Sequence, residues 1–261
     1  MRTFAIVNRK GGVGKTATAV NLAYILATNY KKRVLLIDAD SQANASSIVT
    51  SPNEAGLAAV LQYEEPYYEN LIDHTDIPNL DLLPANEELA DLDLECMAGL
   101  KQPAFFALRD FLEILAGDDV YDIAIIDCPP YFSLSCVNAI MAADRIIIPT
   151  DTDGFSTGGM GKLVRQIDSI RKACPNVVIS GCLVTRWKKS DVAEDAINYL
   201  RGKSPIRMFQ HVIRASDDKV RESTWAGQAV AQWSPWSNAA RDYRAWVVEL
   251  LEQEAIRNED V

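Results

Sequence analysis

Lys10-Gly11-Gly12-Val13-Gly14-Lys15-Thr16 stands between an apolar run, Thr3 to Asn8, and a segment of helical period, Thr16 to Thr28. Glycines at 11, 12 and 14 remove side chains, so successive backbone N–H groups can turn inward onto phosphate oxygens. The helix that follows adds the partial positive charge of its N-terminus. Lys15 is placed to reach the β- and γ-phosphates of a triphosphate, and Thr16 offers a hydroxyl to Mg²⁺. A glycine-rich turn with incidental lysines is the competing reading. The strand on one side and the helix on the other favour the phosphate loop.

Outward from this loop, short Val/Ile-rich runs alternate with longer stretches of helical period, the pattern of buried parallel strands joined by crossover helices. Strands are expected at Thr3 to Asn8, Arg33 to Asp38, Leu80 to Leu83, Asp122 to Asp127, Arg145 to Pro149, Val177 to Thr185 and Met208 to Ile213. Helices are expected at Thr16 to Thr28, Glu87 to Met97, Pro103 to Leu115, Leu134 to Ala142, Gly159 to Ala173, Val192 to Leu200, Lys219 to Trp225 and Ser237 to Glu254. The fold class is therefore α/β: a doubly wound, mostly parallel sheet with helices on both faces, in which ligands sit beyond the carboxyl ends of the strands. A length of 261 residues suits one such domain, 1–261. The acidic stretch Ser51 to Asp76 reads as an insertion after the second strand.

At 48% hydrophobic and 24% charged residues, the composition is that of an ordinary globular chain. No apolar run approaches the roughly 20 residues that cross a bilayer, and the first strand leads straight into the loop, so a cytoplasmic location is expected. Cys96, Cys128, Cys136, Cys174 and Cys182 are irregularly spaced with only His74 and His211 to help them, so they read as buried apolar side chains and not as a zinc or disulfide frame. Four of the five tryptophans, Trp225, Trp233, Trp236 and Trp246, cluster near the C-terminus and read as packing a terminal helix onto the core. A net charge of −10 argues against indiscriminate nucleic-acid binding, but the charge is uneven. Val34 to Leu100 has no Lys or Arg, whereas Arg186 to Arg221 carries nine basic residues against five acidic ones.

Two further runs carry chemistry. Leu35-Leu36-Ile37-Asp38-Ala39-Asp40 puts two acids where an apolar strand ends, and Ser41 to Ser46 follows. Ile123-Ala124-Ile125-Ile126-Asp127 ends in a single acid followed by Cys128-Pro129-Pro130. The general phosphate-loop pattern requires glycine where this chain has Arg9, and a lysine directly before the Gly-Gly pair resembles the deviant Walker A loop of the ParA/MinD superfamily, most of all the ParA/Soj partition ATPases. The first acidic run is similar to that family's D-x-D-P-Q-G-N element, and Asp127-Cys128-Pro129-Pro130 to its D-x-P-P turn.

That resemblance covers most of the chain and implies a Mg²⁺-dependent ATPase. It implies that Lys10 is the signature lysine reaching a partner's phosphates in a nucleotide-sandwich homodimer. Gly11, Gly12, Val13, Gly14, Lys15, Thr16 and Ala17 then hold the phosphates, Asp40 orients or activates the attacking water, Asp38 supports the metal's water shell, and Asp127 holds Mg²⁺ through water. Thr185, Arg186 and Arg214 fall where the family contacts adenine. The chain departs from the family at Ala17, Ser41 and Ala43, and has Arg214-Ala215-Ser216-Asp217 where the family often has Pro-Arg.

The basic stretch, with Lys188, Lys189, Lys203, Arg207, Lys219 and Arg221, reads as a phosphate-tracking face for nonspecific DNA, with solvated helix faces as the plain alternative. The family implies a nucleoid-associated switch that partitions a chromosome, plasmid or mobile element, with a centromere-binding ParB-like activator. A positioning factor for a non-DNA cargo is the alternative. MinD-like membrane association is disfavoured because Val247 to Val261 carries five acids and one arginine. An iron–sulfur protein of the nitrogenase branch would need cysteines in glycine-rich settings, which these are not.

Overall fold

The computed structural model describes residues 1–49, 56–63, 68–151, 157–204 and 206–254; the side chains of residues 68, 157–159, 200 and 203 also fall outside what it describes. Among the described residues seven strands form one sheet: β1 (Arg2–Ile6), β2 (Val34–Asp38), β3 (Asp73–His74), β4 (Leu80–Leu83), β5 (Ile123–Asp127), β6 (Arg145–Thr150) and β7 (Val178–Val184). Their spatial order is β3-β4-β2-β5-β1-β6-β7, and every pairing is parallel except β3 with β4.

Strand residues alternate between two apolar layers. Phe4, Ile6, Leu36, Ile125 and Ile147 face one, and Ala5, Val7, Ile37, Ile126 and Ile148 face the other. This is the period of two that a pleated strand imposes, with apolar residues at both phases because both faces are covered. On the first face lie α1 (Lys15–Asn29), α2 (Asn44–Val49), α10 (Val230–Trp233) and α11 (Asn238–Gln253). On the second lie α3 (Leu57–Gln62), α4 (Glu88–Met97), α5 (Ala107–Gly117), α6 (Leu134–Ala142), α7 (Thr157–Ile170) and α8 (Asp191–Lys203). Helix α9 (Asp217–Trp225) packs the half-buried Val220 against the first layer and accepts a hydrogen bond from Trp233 of α10 through Glu222, at 3.3 Å.

Three expectations are corrected. Met208 to Ile213 is not a strand, and only isolated bridges, Cys182 to Met208 and Trp187 to Arg214, follow the edge strand β7. Phe209 and Ile213 donate their N–H groups to β7 carbonyls, but the N–H groups of Gln210 and His211 donate instead to the Glu249 carboxylate at 2.7 and 3.0 Å. A side chain of α11 thus satisfies donors that a ladder would otherwise take. Helix α5 starts at Ala107 and not at Pro103. Of the four tryptophans, Trp246 is fully buried, edge-on to Phe209 with ring centroids 5.7 Å apart, whereas Trp225 and Trp236 are 93% and 80% exposed. The expected insertion contains α3, a 3₁₀ turn (Tyr68–Asn70) and β3, and its residues 51–55 and 64–67 lie outside the described ones.

Candidate nucleotide-binding site

β1 is the point from which the chain winds outward in both directions, to β2 and β4 on one side and to β6 and β7 on the other. Five neighbouring strands end at one place, so the loop after β1, Asp38 at the end of β2, Asp127 at the end of β5, Asp151 after β6 and Thr185 after β7 share one rim. This is where a doubly wound sheet offers a ligand crevice. A cavity of about 710 Å³ opens there, lined among others by Gly11, Lys15, Asp40, Tyr131, Thr185 and Arg214.

The loop curls through two left-handed residues, Gly12 (φ 74°) and Gly14 (φ 77°), a conformation that strains any residue with a Cβ. Gly14 is the N-cap of α1 and supplies no side-chain cap. By contrast, the Ser133 hydroxyl accepts the Cys136 N–H at 3.0 Å at the start of α6, and the Ser237 hydroxyl accepts the Ala240 N–H at the start of α11. The first intrahelical bond of α1 is Thr18 N–H to Gly14 C=O at 2.9 Å. The N–H groups of Lys15, Thr16 and Ala17 are therefore left for an outside acceptor. The Thr185 hydroxyl braces the loop by donating to Val13 C=O at 2.8 Å and Thr150 C=O at 3.1 Å, and Arg186 donates to Gly12 C=O at 3.3 Å.

The two lysines stand in different surroundings. Lys15 is buried, and its Nζ donates to Lys10 C=O at 3.2 Å. Burial lowers its pKa, while Asp127 opposes that shift. Lys10 is 43% exposed and its Nζ bridges both oxygens of Asp151, at 2.8 and 2.9 Å.

Asp38 and Asp127 are register partners on adjacent strands. Asp38 accepts from Ser46 N–H and Ser46 Oγ, both at 2.8 Å, and from Asp40 N–H at 3.1 Å. Burial nevertheless pushes its carboxyl up to about 6. Asp127 is fully buried with neither carboxylate oxygen hydrogen-bonded. Burial first, and Asp38 second, hold it well above the usual carboxylate range, with the Thr16 hydroxyl and Lys15 opposing them. A buried carboxylate with no hydrogen-bond donor on either oxygen suits a cation beyond the nearby Lys15 ammonium. Among the described residues no cluster of three or more His, Cys, Asp or Glu side chains could hold a metal unaided. The donor set suits Mg²⁺, which takes few protein ligands and completes its shell with water and phosphate oxygens. Asp40 is half-buried at the cavity wall, with Oδ1 accepting Gln42 N–H at 3.1 Å.

Beyond the phosphate end, Arg214 lines the cavity but is clamped by Asp242, which accepts from its Nε at 2.8 Å and its Nη2 at 2.7 Å. Arg221 lines the same cavity. Lys188 lies 4.0 Å from Asp217, Lys189 3.8 Å from Glu194, and Lys219 2.8 Å from Glu222. Arg207 is exposed, and the side chain of Lys203 lies outside the described residues. Sequence reading missed Ser46, Asp151 and Asp242, which hold Asp38, Lys10 and Arg214 in place. Only Asp151 had a signal, its position at the carboxyl end of a strand.

A protein-family model described as an AAA domain matches residues 1–179. The chain is 32% identical over 262 residues to the chromosome partitioning protein ParA of Caulobacter vibrioides, covering 98% of this chain and 96% of that protein. It is 34% identical over 253 residues to the chromosome-partitioning ATPase Soj of Thermus thermophilus, covering 96% of each. Its fold matches cobyrinic acid a,c-diamide synthase from Mycobacterium smegmatis, solved with bound ATP analogue and magnesium, with a TM-score of 0.80 at 25% identity over 99% of this chain and 98% of that one. The deviant loop, the paired strand-end acids and these full-length similarities agree: the chain belongs to the ParA/Soj family of partition ATPases.

Proposed function

We propose that this protein is an ATP-hydrolysing dimerisation switch that binds DNA nonspecifically while ATP is bound and so partitions a chromosome, plasmid or mobile element. The observation that carries the reading is the division of labour between the loop lysines. Lys15 is buried and bonded to its own loop, where we read it as serving the phosphates of its own subunit; Lys10 is exposed and bonds Asp151 across the rim and not its own loop, and we read it as serving those of a second subunit. The relatives named chromosome partitioning protein and chromosome-partitioning ATPase support the same reading.

In this cycle the open N–H groups at the start of α1 bind the phosphate chain, and Gly12 and Gly14 let the backbone approach it. Thr16 and Asp127 would hold Mg²⁺, with Asp38 supporting its water shell, and the bound ion would supply charge neutralisation to the phosphates. Asp40 orients the attacking water and accepts its proton on the carboxylate that faces the cavity. Thr185, Arg186 and Arg214 border the base. The active unit is a single domain that dimerises with itself, is stimulated by a centromere-binding ParB-like partner, and associates with the nucleoid in the cytoplasm. Among the described residues no helix is long and apolar enough to cross a membrane. Lys188, Lys189, Lys203, Arg207, Lys219 and Arg221 form the DNA-contacting set.

The test is a mobility-shift assay with duplexes of unrelated sequence, run with ATP or ADP. Retention that requires ATP, ignores sequence and falls steeply between about 50 and 200 mM salt is expected. Equal retention with ADP, or retention of one sequence only, contradicts the reading.

A further inference from the structure

The proposed cycle leaves one carboxylate at the rim without a task. Asp151 follows β6, and both of its oxygens accept from the Lys10 ammonium, at 2.8 and 2.9 Å. Its side chain is 14% exposed, so this contact is shielded on the acid's side, unlike the solvated pairs that contribute little. The two segments are also joined by a neutral relay: Lys10 N–H donates to Asn8 Oδ1 at 3.0 Å, and Asn8 Nδ2 donates to Pro149 C=O at 2.7 Å. The backbone that carries the lysine is thereby fixed against the strand that carries the acid, and the ion pair forms without further ordering. A carboxylate presents an ammonium with much the same pair of anionic oxygens as a phosphate does. Lys10 must leave the one to serve the other.

This inference rests on the dimerisation reading above. We propose that Asp151 is a positioning residue for Lys10: it parks the ammonium within its own subunit, so that the dimer closes only when a second copy's triphosphate outcompetes the carboxylate. Asp151 then sets the protein concentration at which the switch closes. A purely structural staple behaves differently. Cutting a staple loosens the loop and weakens nucleotide binding and dimerisation together, whereas cutting a parking contact leaves the monomer's nucleotide affinity in place and eases dimerisation.

Asp151→Asn keeps the shape and an acceptor but removes the charge. It is made in an Asp40→Ala background and followed by light scattering with ATP across a dilution series. The midpoint of dimerisation should fall roughly three- to tenfold, with ATP affinity below that midpoint unchanged. The gain should vanish when Lys10→Gln is added. An unchanged or higher midpoint, a matching loss of ATP affinity, or a gain that survives Lys10→Gln overturns the proposal. If the Asp40→Ala protein stays monomeric with ATP, it is the dimer reading that fails, and the parking contact is read separately by acetic anhydride labelling of Lys10 in nucleotide-free protein. Labelling severalfold faster in Asp151→Asn supports the contact; equal rates overturn it.

Discussion

Asp38 and Asp127 sit side by side at the ends of β2 and β5, both buried, both held above the usual carboxylate range, and Asp127 without a hydrogen-bonding partner. Along the flank from 186 to 222, Asp217, Glu194 and Glu222 each pair with a cation. Asp217 lies 3.4 Å from Arg186 and 4.0 Å from Lys188, and Lys219 holds the Glu222 carboxyl below its usual range. The first region is frustrated without a ligand and the second is not. Burial makes the difference: an unpaired charge in the interior costs several kcal/mol, whereas an exposed pair is worth about 1 kcal/mol or less. The two unbonded oxygens of Asp127 make the strand-end rim the better candidate for a cation. The flank carries only a surplus of positive charge, nine basic residues against five acidic ones from Arg186 to Arg221.

This contrast can be broken in order of expected effect. Lys15→Ala removes the buried cation that faces Asp127 and the phosphates, and ATP affinity should fall at least about 100-fold. An unchanged dissociation constant in calorimetry contradicts the site. Asp127→Asn should abolish the dependence of nucleotide binding on Mg²⁺ while the nucleotide-free protein melts at the same temperature or higher, because the buried charge is gone. Retained Mg²⁺ dependence would remove Asp127 from the metal site.

A pH effect comes next. Asp38's folded pKa of about 6 exceeds its ordinary value of 3.8, so between those values the folded protein holds a proton that the unfolded chain has released. Stability from this group is present below about pH 4 and is lost as pH rises to about 6, on the order of 1–3 kcal/mol. Denaturant midpoints of wild type and Asp38→Asn across that window isolate it. The wild type should lose more stability than the variant, and parallel curves contradict the assignment. The smallest effect belongs to the flank. Reversing Lys188, Lys189 and Lys219 to Glu should weaken DNA retention severalfold and flatten its salt dependence, with ATP affinity unaltered. Unchanged retention would identify these as merely solvated side chains.

The phosphate end was legible in sequence because its signals are local. Glycines at fixed offsets and acids ending apolar runs need no tertiary information, and β4 and α6 lie where their patterns put them. What was not legible depends on distant partners. Met208 to Ile213 has a strand's composition, yet Glu249, 38 residues away, captures the N–H of His211. Asp151 meets Lys10 across 141 positions, and Asp242 clamps Arg214 across 28. The short helices α2, α3 and α10 have too few turns to show a period, and Trp225 at the end of α9 and Trp236 between α10 and α11 are exposed by their place in the fold, which residue type alone does not encode.

The most direct test of the switch is the size of the Asp40→Ala protein by gel filtration with light scattering, in ATP and in ADP. A protein of about twice the chain mass in ATP and of single-chain mass in ADP is the predicted result. The same mass in both nucleotides would contradict it.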